Sequence, residues 1–304
     1  MKSTIKYTLV LLFSLFSLFQ SCLSVAQDLK ISSWNIAWLG SHEYNERTPS
    51  DYKKLASYAK KLNADVVALQ EVENEVWAKK VFGDEYNYYF STKDWVQRVG
   101  VAVKKSSGLT VVAQEYKALD VGRVRYGMDI TLSRNGKTLK LLAVHLKSGC
   151  FDDPLDAESV AAMPSATERE IKRKHACTTL NKQIQPLENW MDQQAKTGIP
   201  FLVLGDFNRR FSKDKSLKHT EQQGLWQALD DEGNESLWTP TMKKESACWG
   251  GYYKDYIDHI VFNPSAKALY QDESFSQLVF TPKYTKKLSQ TLSDHCPISV
   301  KLSF

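Results

Sequence analysis

The sequence predicts one α/β domain built on mixed β-sheets, and three observations favour this class. Short apolar runs of strand length recur along the chain with turn residues between them, and only a few helical patterns interrupt them. The 304 residues are 42% hydrophobic and 25% charged, as in an ordinary soluble globular protein. No internal repeat or low-complexity linker divides them. This composition excludes a disordered tail protein, a collagen and a disulfide-rich miniprotein.

The first 26 residues have the pattern of a secretory signal peptide. Lys2 and Lys6 form a short cationic start, and residues 8–19 are uncharged and largely apolar. Small residues at Ser24-Val25-Ala26 give the spacing that a signal peptidase cleaves. We therefore predict a signal peptide over residues 1–26, in preference to a buried N-terminal helix. The protein would then be secreted or periplasmic.

The mature domain is predicted to span residues 27–304 and to contain no transmembrane segment. Ser21-Cys22 suggests a lipoprotein site, although Phe19 and Gln20 fit that pattern poorly. Anchoring through Cys22 therefore stays open. The whole chain has a formal charge of +5. Without the leader it has 38 basic and 35 acidic residues, a net charge of +3. A chain this mildly basic cannot coat DNA by net charge alone, but a local basic surface remains compatible with it.

Nine apolar runs are predicted as strands, and two segments as helices. Ser50 is the expected N-cap of a helix over residues 51–62, whose apolar side chains recur at helical spacing. Asn135-Gly136 is a two-residue turn signal between two of the strands. The second helix covers residues 167–194, with Pro186 as a place for a bend. The strands are expected at residues 29–36, 65–69, 99–103, 109–115, 128–132, 138–145, 201–204, 256–262 and 297–302.

Four cysteines remain after the leader, an even number that suits an oxidising compartment. They are Cys150, Cys177, Cys248 and Cys296, and they allow three pairings. We expect Cys150–Cys177, because this bond would tie the loop after one strand to the long helix. Cys248–Cys296 would be the remaining pair. No Cys-x-x-Cys spacing occurs, which disfavours a zinc cluster.

Polar side chains follow or border six of the apolar runs, where they would reach the rim of a sheet. Taken singly, each has a structural explanation: an Asx turn, a helix start or a buried histidine. Taken together they supply oxygen ligands that suit Mg²⁺, Mn²⁺ or Ca²⁺, and two histidines for acid–base work. This set predicts metal-assisted attack of water on a phosphate ester. The set consists of Asn35, Glu71, His145, Asp206, Asn208, Asp258, Asp294 and His295.

The order of these motifs resembles the endonuclease/exonuclease/phosphatase superfamily, and the pancreatic-type deoxyribonucleases in particular. The resemblance is carried by Trp34-Asn35, Gln70-Glu71, His145, Gly205-Asp206-Phe207-Asn208, Asp258 and Ser293-Asp294-His295. It extends over nearly the whole mature chain. It implies a four-layer sandwich, in which two mixed sheets pack face to face between outer helices.

The resemblance also implies a role for each residue. Glu71 would be the principal metal ligand, with Asn35 beside it and Asp294 as a further metal or water-orienting carboxylate. Asp206 and Asn208 would position water and a phosphoryl oxygen. His295, oriented by Asp258, would be the base or a phosphate-binding group, and His145 would bind phosphate and protonate the leaving oxygen. An acidic partner for His145 is not evident from the sequence, and His259 is expected to be a supporting core histidine.

Three arginines are candidates for substrate binding. Arg125 resembles a phosphate-contacting arginine ahead of a strand, and Arg209 and Arg210 directly follow Asn208. Each could equally be an ordinary loop arginine. Together they favour a nuclease that acts on nucleic acid, with DNA as the first choice. We expect a monomer with no stable protein partner. The alternative is a secreted phospholipase C of the sphingomyelinase type, since the aromatic segment 249–253 could enter a membrane interface or stack on bases.

Overall fold

The computed structural model describes residues 28–41, 43–231 and 236–304. The predicted signal peptide and Cys22 lie outside these residues. Within them the chain forms eleven β-strands in two sheets, eight α-helices and four short 3-10 helices. None of the helices described has the length and apolar character needed to cross a membrane.

The first sheet has six strands in the order β10-β11-β1-β2-β4-β3. Their bounds are Asp28–Leu39 (β1), Val66–Val72 (β2), Tyr86–Phe90 (β3), Val99–Lys104 (β4), Ser276–Gln277 (β10) and Ile298–Ser303 (β11). β1 runs parallel to β2, with Ile31 opposite Val66, and every other pair is antiparallel. The sheet is therefore mixed, as predicted.

The second sheet has five strands in chain order, β5-β6-β7-β8-β9. Their bounds are Thr110–Tyr116 (β5), Gly127–Arg134 (β6), Lys137–His145 (β7), Phe201–Asp206 (β8) and Asp258–Phe262 (β9). β7 and β8 are parallel and the other pairs antiparallel. Asn135 and Gly136 both have positive φ, 52° and 78°, and close the β6–β7 hairpin that the sequence predicts.

The two sheets pack face to face, and helices cover both outer faces. Inward side chains of both sheets, such as Ile31, Val66, Ile130 and Leu204, form one apolar core. The outer face of the first sheet packs against α1 and α2, and that of the second mainly against α4 and α6. The four-layer sandwich is thus confirmed. The helices are Pro49–Leu62 (α1), Glu75–Phe82 (α2), Ala157–Ala162 (α3), Glu168–Ala195 (α4), Phe211–Ser216 (α5), Leu225–Leu229 (α6), Pro264–Lys267 (α7) and Lys286–Thr291 (α8).

The N-cap of α1 differs from the sequence prediction. Thr48, not Ser50, caps the helix: its side chain accepts from the Asp51 amide, and the Asp51 carboxylate accepts from the Thr48 amide. Pro49 then takes the first helical position, where a missing amide hydrogen costs nothing. Ser50 already lies inside the helix, so the predicted cap was two residues too late.

Both expected disulfides are present. Cys150–Cys177 joins the loop after β7 to α4, and Cys248–Cys296 joins the loop before β9 to the residue pair ahead of β11. Each bond therefore connects a loop near the ends of the central strands to a second element. Closed loops with sequence separations of 27 and 48 stabilise a fold by roughly 3–4 kcal/mol each in the chain-entropy account.

Candidate active site

The polar ends of the central strands meet at one rim of the sandwich. Asn35 and Glu71 come from β1 and β2 of the first sheet, and Asp206 ends β8 of the second. The side-chain Nδ2 of Asn35 donates to Asp206 Oδ2 at 3.0 Å and lies 3.3 Å from Glu71 Oε1. These bonds join the two sheets, so residues far apart in the chain form one site.

Backbone geometry at β8 allows the acid to reach this position. Gly205 has a φ of 148°, and a Cβ there would lie 2.0 Å from the carbonyl oxygen of Val144. Only glycine fits so close to the neighbouring strand. The turn that follows is fixed when the Asn208 amide donates to Asp206 Oδ1 at 2.8 Å and the Asn208 side chain donates to the Leu146 carbonyl.

Two carboxylates at the rim are withdrawn from water. Burial raises the pKa of Glu71, although His295 opposes this shift. Burial, together with the nearby Asp258, raises the pKa of Asp206 to about 7, again against the effect of His295. Glu71 Oε2 accepts from the Trp38 amide at 3.1 Å. Their ionised forms therefore need additional positive charge.

His295 forms a short pair with Asp258. Its Nδ1 donates to Asp258 Oδ2 at 2.7 Å, and its Nε2 lies 3.8 Å from Asp206 Oδ2. Burial alone would lower the pKa of His295, but the carboxylates of Asp258 and Asp206 raise it well above the usual value. The Ser293 hydroxyl accepts from the His295 amide and donates to the Asn35 carbonyl, which ties this loop to β1.

His145 faces the same centre from β7. Its Nε2 lies 3.5 Å from Asp206 Oδ2 and 3.7 Å from Glu71 Oε1. Its Nδ1 is buried and has no hydrogen-bond partner among the described residues, so no carboxylate orients the ring from this nitrogen. Burial and then Arg125 lower the pKa of His145 well below the usual value. Asp94 is fully exposed and pairs with Arg98, so it is not the acidic partner of His145.

A cavity of about 610 Å³ lies over these groups. Two of the three candidate arginines line it. Arg125 donates to the carbonyls of His145 and Leu146, and Arg210 pairs with Asp152 at 3.1 Å. Asp294 lines the cavity with a half-exposed side chain, beside His295. Arg125, Arg210 and Asp294 therefore lie where a substrate could reach them.

The expectation for Arg209 is wrong. Its side chain is fully buried, forms a double contact with Asp214, and donates to the carbonyls of Cys150 and Asp153. Every donor group is directed to the protein interior, so this arginine holds the loop after β8 and cannot touch a substrate. His259 is a buried core histidine, as expected: its Nε2 donates to the Arg209 carbonyl at 2.8 Å.

The donor set fits a hard divalent cation. Ligand atoms of Asp206, Asp258 and His295 lie within 4.8 Å of one another, and the buried Asp258 Oδ1 has no partner among the described residues. Clustered buried carboxylates favour an added cation, and carboxylate oxygens suit Mg²⁺, Mn²⁺ or Ca²⁺. Asn35 presents its N–H groups to the two carboxylates, which favours an orienting role for it over the predicted role of ligand.

Sequence reasoning missed the groups that hold these side chains in place. Ser293 was recognised only as part of a motif, and Arg47 carried no signal. Arg47 is buried in a loop before α1 and donates to the carbonyls of Ile36, Ala37, Trp38 and Thr291. Carbonyl acceptors belong to the backbone, and no spacing of residue types reveals them.

The two-sheet sandwich and the acid–histidine centre at its rim together define a class of hydrolases that act on phosphoric esters. The chain belongs to the Endonuclease/Exonuclease/phosphatase family, whose model matches residues 32–295. No curated protein matches the sequence.

Several solved structures have a similar fold at low sequence identity. D. rerio TDP2, complexed with a single-strand DNA product, is 18% identical with a TM-score of 0.54, over 90% of this chain and 98% of that one. The human Nocturnin catalytic domain with a bound sulfate anion is 14% identical with a TM-score of 0.53, over 90% and 93%. An endonuclease/exonuclease/phosphatase from Bacteroides vulgatus is 13% identical with a TM-score of 0.57, over 91% and 98%.

Proposed function

We propose that the chain is an exported, divalent-metal-dependent phosphodiesterase that hydrolyses nucleic acids. One observation carries the proposal: Glu71, Asp206 and the Asp258–His295 pair converge under a single cavity. Acids of raised pKa beside a carboxylate-oriented histidine are what hydrolysis of a phosphate ester requires. Family membership narrows the reaction to phosphoric esters but leaves the substrate open.

Glu71, with Asp206 and Asp294, would hold the cation. When bound, it would offset the charge of the carboxylates and of a phosphoryl oxygen. Asp206 and Asn208 would orient water. His295, oriented by Asp258, would bind the phosphate in its protonated form and accept a proton from water once neutral. Arg125 and His145 would face the phosphoryl oxygens.

Five carboxylates line the cavity, but three cations among the lining residues are placed to contact a polyanionic substrate. Arg125, Arg210 and Lys254 line it, and cations there would contact a nucleic-acid backbone. The similarity to a TDP2 structure with bound single-strand DNA product agrees with this choice. DNA is the preferred substrate in the proposal.

Two disulfides support export. Such bonds persist in oxidising compartments, and both Cys150–Cys177 and Cys248–Cys296 are present. Together with the leader pattern of residues 1–26, they favour a secreted or periplasmic protein.

The test compares plasmid DNA, RNA and sphingomyelin vesicles in Mg²⁺ and in chelator. We expect cleavage of DNA in Mg²⁺, loss in chelator, and no release of phosphocholine. Glu71→Gln and His295→Ala should each lower the rate by several orders of magnitude, and Asp258→Asn by less, because it misorients the base without removing it.

Asp84→Asn is the matched control, since this carboxylate is 92% exposed and outside the site. It should cleave like the parent chain. Release of phosphocholine with intact DNA would instead establish the sphingomyelinase-type alternative. Full DNA cleavage by Glu71→Gln in chelator would contradict the site assignment.

A further inference from the structure

An aromatic cluster stands on one side of the cavity. The rings of Tyr252 and Tyr284 stack face to face, with centroids 4.0 Å apart and planes 12° from parallel, and Tyr253 meets Tyr252 edge-on. Tyr252 is 61% exposed and Tyr253 is 40% exposed, although both are large aromatic residues. We call Tyr252, Tyr253 and Tyr284 the tyrosine platform.

Contacts with buried residues anchor the platform. Trp249, Gly250 and Gly251 all have left-handed backbone, and this tight turn presents the two tyrosines that follow. The buried Trp249 ring packs edge-on against Tyr284, and its indole nitrogen donates to the Ser293 carbonyl at 3.0 Å. An aromatic surface that is already ordered loses little entropy when a ligand stacks on it.

The platform is also fixed next to the catalytic groups. Tyr252 and Tyr253 line the same cavity as Asp294 and His295. The Cys248–Cys296 disulfide links the start of the platform turn to the residue directly after His295. A group stacked on the platform would therefore be a near neighbour of the phosphate at the site.

Lysines lie next to the platform residues in the chain. Lys254, Lys283, Lys286 and Lys287 are exposed, and none of them has an ion-pair partner within the described part of the chain. Aromatic rings interleaved with lysines are the combination that binds unpaired nucleic acid, because bases stack on the rings while the cations follow the backbone. A zwitterionic lipid surface would gain little from these lysines.

We propose that the tyrosine platform stacks an unpaired nucleobase beside the scissile phosphate, so that single strands or frayed ends are the preferred substrate. Bases within a duplex have both faces covered by their neighbours and could not reach the ring of Tyr252 without being unstacked. This inference rests on the proposed function and specifies its substrate class.

The experiment measures binding of a short labelled single strand, in which one base at a time is replaced by an abasic sugar. A Glu71→Gln background suppresses turnover, and Tyr252→Ser removes the ring. We expect loss of one particular base to weaken binding about 10-fold when Tyr252 is present, and to have no effect on the Tyr252→Ser protein. Tyr252→Phe keeps the ring and should keep the 10-fold effect.

Two controls separate stacking from general losses. Replacement of both Lys286 and Lys287 by Ala should weaken intact and abasic strands equally, and reduce the salt dependence by about one ion per lysine. Val112→Ser changes an exposed apolar residue on the far edge strand of the second sheet, and should bind like the parent.

The failures are distinguishable. If Tyr252→Ser responds to abasic positions as the parent does, while the chain with Glu71 intact still cleaves strands, the platform is wrong and the proposed function stands. If the intact chain neither binds nor cleaves nucleic acid, the proposed function fails first. Vesicle binding that is lost in Tyr252→Ser would then assign the platform to a membrane surface and overturn the proposal.

Discussion

Residues of unusual backbone conformation hold the carboxylates of the site. Ala37, Trp38 and Glu71 have φ values of 45°, 58° and 59°, in the left-handed region. Each such residue costs on the order of 1–3 kcal/mol, so the surroundings must enforce it. The Ala37 and Trp38 amides donate to Asn35 Oδ1 and Glu71 Oε2, which directs two site side chains from one short bulge.

Arg47 stabilises the left-handed backbone of Ala37 and Trp38. Its guanidinium donates to the carbonyls of Ile36, Ala37 and Trp38 on the bulge, and to the carbonyl of Thr291 at the end of α8. Burial lowers the pKa of Arg47 to about 10, which leaves it charged at neutral pH. The buried Arg47 therefore fixes the backbone whose amides bind the side chains of Asn35 and Glu71, and so positions both indirectly.

His259 makes the stability of the protein depend on pH. The Thr241 hydroxyl lies 2.6 Å from His259 Nδ1, and burial lowers the pKa of His259 to about 3. The unfolded chain takes up this proton near pH 6.5 and the folded chain does not, so its contribution is complete above pH 6.5 and falls by about 1.4 kcal/mol per unit below it. We expect His259→Gln to be less stable at pH 7.

Urea unfolding at pH 7 and pH 5 checks this dependence. Between these values the parent should lose about 2 kcal/mol more than His259→Gln, because glutamine does not titrate. Equal losses in the two proteins would show that His259 takes up its proton as readily in the folded state as in the unfolded one, which would contradict the lowered pKa.

At this scale the sequence indicated which residue types form the site but not where each side chain points. Glu71, Asp206, Asp258 and His295 meet because the ends of β2 and β8, the start of β9 and the loop ahead of β11 lie at one rim. Arg209 has the same adjacency to a site motif, yet it turns inward to Asp214. Adjacency along the chain fixes a backbone position, whereas the direction of a long side chain depends on tertiary partners.

Among the elements, those with strong apolar patterns were predictable and the weaker ones were not. All nine predicted strands and both long helices are found. The two-residue β10 and five helices of four to six residues (α3, α5, α6, α7 and α8) were missed. So were α2, which has only eight residues, and β3, which reads Tyr-Asn-Tyr-Tyr-Phe without a clean alternation. The sheet orders could not be read from local patterns, since strand neighbours such as β11 and β1 are distant in sequence.

The helix cap provides a direct comparison of prediction and structure. Thr48→Ala removes the capping box of α1 and should lower the free energy of unfolding by about 1 kcal/mol. Ser50→Ala changes a residue inside the helix and should alter it by less than about 0.5 kcal/mol. Chemical denaturation of the two variants measures the difference. If Ser50→Ala lost more unfolding free energy than Thr48→Ala, Ser50 would be the N-cap, as the sequence predicted.

In the whole molecule the site belongs to neither sheet alone. The first sheet contributes Asn35 and Glu71, the second contributes His145 and Asp206, and the Asn35–Asp206 hydrogen bond crosses between them. The sequence order of the motifs was sufficient for the family and the four layers. The sequence order did not predict the distances between the sheets, because these depend on packing of the common core.

A cation bound between the sheets should therefore stabilise the entire fold. A ligand that binds only the folded state adds about 2.7 kcal/mol at 100 times its Kd. We expect Mg²⁺ to raise the Tm of the parent chain and to have little effect on Glu71→Gln. In chelator, Glu71→Gln should melt no lower than the parent, because it removes a carboxylate whose pKa burial has raised.

Thermal unfolding in chelator and across a Mg²⁺ titration measures both effects without any substrate. Asp84→Asn removes an exposed carboxylate and controls for general charge screening by Mg²⁺; it should follow the parent at every concentration. If Mg²⁺ raises the Tm of Glu71→Gln as much as that of the parent, Glu71 does not hold the ion. Asp206, Asp258 and Asp294 would then remain as the candidate ligands, and Glu71 of the first sheet would have no part in binding the cation.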